Sequence, residues 1–164
     1  MNLSSQPPRG PSEASDAAAN ATMTKFGYPQ TLVCDYAHWA VLLRPGQATL
    51  GALVLVCKDP ATAFAEISAA AFAELQQVTR DIETGLRAFR PYQKINYLML
   101  MMVDPDVHFH VLPRYAETQE FDGTAYPDKG WPALPDLGAG VTPDEATLAS
   151  LAAAVKAAWP GARG

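Results

Sequence analysis

The chain has 164 residues, of which 49% are apolar and 18% charged, enough for one domain with its own core. Its net charge of −5 argues against a basic face for duplex nucleic acid. No apolar run reaches the ~18 residues of a membrane span, and the first 22 residues lack the basic start and apolar stretch of a secretory signal. A soluble cytoplasmic protein is expected. Its two cysteines, Cys34 and Cys57, lie in apolar segments and read as free buried thiols.

Residues 1–22, rich in Ser, Pro, Ala and Asn, are expected to be a disordered tail, since they offer little surface to bury. Leu32-Val33-Cys34 and Trp39 to Leu43 read as strands, and Arg44-Pro45-Gly46-Gln47 as a turn. Ala52 to Cys57 follows as a strand apolar on both faces, and hence central in its sheet. From Ala61 to Phe89 the residues Phe64, Ile67, Ala71, Leu75, Val78, Ile82 and Leu86 recur at three- and four-residue steps. That is the stripe of a long amphipathic helix, with a break near Ser68, which has helix-start chemistry. Lys94 to Val103 reads as a buried strand, Asp104-Pro105 as a turn, and Asp106 to Leu112 as a strand of period two. Phe121 to Gly140 is rich in Gly and Pro and predicts loop. Thr142-Pro143-Asp144-Glu145 predicts a helix capped by Thr142 and running through Trp159. Strand pairs grouped around a helix favour an α+β fold.

The chemistry is concentrated in Asp106-Val107-His108-Phe109-His110-Val111. Alternation along a strand sends Val107, Phe109 and Val111 to the core and presents Asp106, His108 and His110 together on the other face. A half-exposed sheet would show the same alternation with no function attached. Against that stands the clustering of two of the chain's three histidines. Two chemistries suit the arrangement: a nucleophilic histidine, or a carboxylate–imidazole metal site of the kind that holds zinc or iron. His38 and Lys94 are expected to be structural or solvent-facing.

With Pro113-Arg114-Tyr115 behind it, this motif resembles the signature of the histidine-triad family of nucleotide hydrolases and transferases. Leu50 to Val56 is similar to the family's upstream strand, with Ala52 in place of a His. The resemblance covers Val33 to Tyr115. Asp106 stands where the family's first histidine belongs, and the chain resembles bacterial relatives that also lack that histidine. These share the spacing from Asn96 to His108 and the downstream Trp131-Pro132.

The resemblance implies an antiparallel sheet of about five strands with one long helix packed on it, plus a C-terminal helix, usually paired as a homodimer. It divides the chain into a tail (1–22), a histidine-triad-like domain (23–118) and a C-terminal loop and helix (119–164). It implies a catalytic set of His108, the nucleophile that takes the nucleotidyl group at the α-phosphorus, with His110 and Asp106. It also implies nucleotide or phosphate contacts from Asn96, Arg44 and Arg114. The substrate would be a dinucleoside polyphosphate or nucleotide phosphoramidate. No cofactor or resident metal is required, although a divalent ion can accompany such a substrate. The alternatives are a nucleotide-binding protein of the same fold without catalysis, and an Asp/His metal site.

Overall fold

The computed structural model describes residues 18–161; most of the expected tail therefore lies outside the described residues. The end of it does not. Helix α1, Ala21–Lys25, begins inside the expected tail, and the Asn20 side chain caps it by accepting from the Met23 N–H at 2.9 Å. The Asn20 amide also donates to the Cys57 carbonyl at 2.9 Å, and Thr22 and Met23 are buried. Met23 sits on the sheet face made by Ala40, Leu42, Val54 and Val56, so this short segment orders by covering an apolar surface made elsewhere in the chain.

Strands β1 (Leu32–Asp35), β2 (Trp39–Leu43), β3 (Leu53–Cys57), β4 (Lys94–Leu98) and β5 (His108–Arg114) form one antiparallel sheet in the order β1-β2-β3-β5-β4. As its two-sided apolarity predicts, β3 is central and wholly buried. The β2–β3 turn closes on the buried Gln47 side chain. Its amide donates to the carbonyls of Arg44 and Ala52, and its oxygen accepts from the Gly51 N–H.

Helix α2, Ala69–Phe89, lies on one face of the sheet and α3, Glu145–Ala158, beside it. The apolar stripe continues back to Phe64, but the helix does not. Ser68 caps α2 by accepting from the Ala71 N–H, and Phe64–Glu66 forms a separate 3-10 turn. The other helix start is displaced from expectation. Asp144, not Thr142, is the cap, accepting from the Thr147 N–H at 2.7 Å.

Two further expectations give way. The strand read through Val103 ends at Leu98, and residues 99–107 are irregular, with Met101 in the left-handed region at φ 51°. Met102 and Val103 are largely exposed, so their apolarity reports no core. A hairpin, β6 (Gln119–Phe121) with β7 (Thr124–Tyr126), begins just before the stretch read as loop and takes up its first residues. Its turn residue Asp122 has φ 47° and Gly123 φ 76°, the Asp-Gly pair that two-residue hairpin turns favour.

Candidate active site

Cross-strand register sets the site. His110 of β5 faces Val54 of β3 and Leu98 of β4, while His108 faces Val56. One step further along the same face, Leu112 faces Asn96 and packs with Ala52; beyond it Arg114 faces Lys94. The period-two reading thus holds for the histidines, which share the face opposite α2. That face is covered, not open. His108 is 2% exposed and His110 8%, beneath the Phe26 ring, whose centroid lies 6.2 Å and 5.8 Å from theirs. The two imidazoles meet edge to face at 5.3 Å.

His108 has its tautomer assigned by its surroundings. Its Nδ1 is 2.7 Å from the Asp106 carbonyl oxygen. A carbonyl oxygen only accepts, so Nδ1 carries a proton, and in the neutral ring the lone pair is on Nε2. The neutral imidazole of that tautomer is a nucleophile at Nε2. His110 is held neutral near pH 7. Burial pulls its pKa down to about 4, and the positive charges of Arg44 and of His108, when protonated, push it the same way.

Arg44 follows β2, and its backbone N–H donates to the Ala52 carbonyl. Its Nη1 donates to the Gly46 carbonyl. Two buried polar atoms here have no partner: Nε of Arg44 and Nδ1 of His110. Buried polar groups are seldom left so. A phosphate oxygen would accept from the Arg44 Nε–H, and from His110 in the tautomer that carries its proton on Nδ1.

Asp106 stands elsewhere than alternation placed it. Strand β5 begins at His108, and the Asp106 carboxylate turns to α1, accepting from the Thr22 N–H at 3.1 Å and hydroxyl at 2.8 Å. It is the backbone of Asp106, not its side chain, that touches His108. Lys25 adds an ion pair at 2.6 Å to Asp104 in the same turn.

No family model matches the chain, and no curated protein matches it. Solved structures do. A histidine triad protein from Sinorhizobium meliloti superposes with a TM-score of 0.65 over 87% of this chain and 97% of its own, at 19% identity. A HIT-like protein from Bartonella henselae, solved with an unknown ligand, gives 0.60 over 84% and 93%, at 12% identity. A uridylyltransferase mutant gives 0.58 over 84% of this chain and 45% of its own, at 17% identity. The fold is that of the histidine-triad proteins.

Within this histidine-triad fold the remaining candidates divide. Asn96 and Arg114 are on the histidine face but are engaged with each other and with Asp128. Arg114 Nη1 donates to the Asn96 side-chain oxygen at 2.7 Å, and Nε and Nη2 form a two-pronged pair with the Asp128 carboxylate at 2.7 Å and 3.0 Å. The guanidinium expected to meet phosphate is committed to holding the C-terminal segment. His38 is structural, its Nδ1 3.3 Å from Asp59. Among the described residues, no group of three or more His, Cys, Asp or Glu stands close enough to hold a metal ion, which disfavours the Asp106–His108–His110 metal reading. Among them too, no helix is long and apolar enough to cross a membrane. Thr22 and Phe26 had no signal in the sequence, since Thr22 meets Asp106 across 84 residues of chain.

Proposed function

We propose that the protein is a nucleotide hydrolase or transferase of the histidine-triad type. The observation that carries this is the His108 ring, whose Nδ1 is engaged by the Asp106 carbonyl so that Nε2 is the nitrogen left to react, on one strand face with His110, together with the unpartnered Arg44 Nε–H. Nε2 of His108 attacks the α-phosphorus. The bond from that phosphorus to the bridging oxygen breaks, and the oxygen departs with its electron pair. Water then releases the nucleotide from His108 and restores the imidazole. His110 and Arg44 offset the charge that builds on the phosphoryl oxygens. Asp106, tied to Thr22, gives no proton to the leaving group. That favours a leaving group stable as an anion, such as the nucleotide released from a dinucleoside polyphosphate.

The full chain incubated with α-labelled ATP or a labelled diadenosine polyphosphate and quenched in alkali should retain label, and His108→Ala should retain none. Wild type that binds AMP tightly yet never acquires label would reduce the reading to nucleotide binding alone. The open edge of β4 and the exposed Phe64–Phe72 pair, with ring centroids 5.3 Å apart, support pairing of two copies into a homodimer. A single-chain mass in sedimentation equilibrium would reject that part.

A further inference from the structure

The proposed reaction needs a phosphorus atom at a near-attack distance of about 3–3.5 Å from Nε2 of His108, yet that ring is only 2% exposed. A cavity of about 410 Å³ beneath the Trp131–Pro135 loop reaches Leu98, level with His110, but neither histidine lines it. What lies over the rings is Phe26, the residue that follows α1. The attachment of α1 is slight. Its 5 residues are too few for a helix to hold by itself, and its buried side chains are Thr22 and Met23. Much of the rest is polar: the Thr22 bonds to Asp106, the ion pair of the 51% exposed Lys25 with Asp104, and the Asn20 bond to the Cys57 carbonyl. Both carboxylates belong to the irregular segment that leads into His108. Directly behind Phe26 stands Gly27 at φ 87°, a residue whose backbone freedom suits a pivot.

We propose that α1 and Phe26 form a gate over His108, with Asp106 and Asp104 as its latch, and that a nucleotide binds only the open form. In naming the nucleotide as what passes the gate, the proposal rests on the nucleotidyl-transfer reading above. Asp106 then acts on access to His108 and not on the leaving group. Opening breaks the latch bonds. A phosphate in the open site gains the Arg44 Nε–H, which is buried without a partner in the closed form. Such a ligand shifts the equilibrium by its difference in affinity for the two forms and no further. Its apparent affinity is the intrinsic one reduced by the open fraction. A weaker latch therefore tightens nucleotide binding, even when the weakening removes the positive charge of Lys25.

Diethyl pyrocarbonate, which acylates neutral imidazoles, tests the gate without a nucleotide. In the full chain at mildly alkaline pH, peptide mass spectrometry follows His108 against His38, whose side chain is 33% exposed. In wild type His108 should react about tenfold or more slower than His38, as befits a minor open state. Lys25→Ala should quicken His108 about two- to fivefold, the weight of one exposed ion pair. Met23→Ala, which removes the apolar anchor of α1, should quicken it about tenfold or more. His38 should keep its rate in both variants, which also shows that the chain stays folded. In titration calorimetry AMP should bind Lys25→Ala more tightly, by the factor by which His108 quickens. A His108 as reactive as His38 in wild type, or one that neither variant quickens, would overturn the gate. So would weaker AMP binding by Lys25→Ala, because Lys25 would then be a direct contact of the ligand. A quickened His108 with no AMP binding by either protein would keep the gate and reject the nucleotide reading itself.

Discussion

Burial holds the His110 imidazole neutral down to about pH 4, whereas an unfolded histidine titrates near 6.5. Between those values the unfolded chain binds the extra proton, so stability is complete above about pH 6.5 and is lost as pH falls towards 4. The loss from this residue should be on the order of 2 kcal/mol by pH 5. It is read as the difference in urea-unfolding free energy between wild type and His110→Gln at pH 7 and pH 5. Equal pH slopes in the two proteins would show that the ring is not held neutral. His108 shows the same dependence on surroundings in another form. The Asp106 carbonyl that fixes its tautomer sits in a turn held by Thr22, so the His108 tautomer is set partly from the N-terminal helix.

Helices α2 and α3 meet where Gly85 of α2 faces Trp159, just past the end of α3. A Cβ at Gly85 would lie 2.6 Å from the indole ring, and that ring is buried and bonded through Nε1 to the Tyr36 hydroxyl at 3.1 Å. Alanine is worth about 1 kcal/mol over glycine inside an exposed helix, but here the clash outweighs that preference. Gly85→Ala should destabilise by about 1–3 kcal/mol, the usual cost of overpacking a core. A raised thermal midpoint would mean that the indole yields freely. The misplaced boundaries share one origin. Residues 99–103 are apolar but mostly lie outside the core, and Thr142 satisfies a capping pattern that Asp144 takes over two residues later. Local pattern names the element, while the end is decided by what it packs against.

Two of the ties between the C-terminal segment and the sheet flank the Trp131–Pro135 loop. Arg114 and Asp128, with side chains only 4% and 1% exposed, form a buried ion pair, and Gln47 exchanges backbone hydrogen bonds with Val141. Together they hold the Trp131–Pro135 loop over the cavity. Asp128→Asn leaves a buried guanidinium without its counter-charge and should cost about 3–5 kcal/mol in urea denaturation. A loss below about 1 kcal/mol, typical of surface pairs, would mean that the loop is anchored elsewhere.

Short apolar runs between turn signals placed four of the strands, the three-to-four-residue stripe the long helix, and alternation the histidines on one face, because these patterns are set by backbone geometry at short range. Asn96 and Arg114 were legible as neighbours of the site, but not their mutual engagement, which depends on Asp128 arriving from 14 residues downstream of Arg114. The chain's order alone put His108 and His110 two positions apart on one face of a strand, the candidates for the chemistry. Only the tertiary structure decided that a short helix would cover them, that Asp106 would turn to Thr22 rather than share their face, and that a C-terminal loop would roof a cavity beside them. Each of those outcomes joins segments far apart in sequence, whose meeting depends on burying surface that neither segment makes alone.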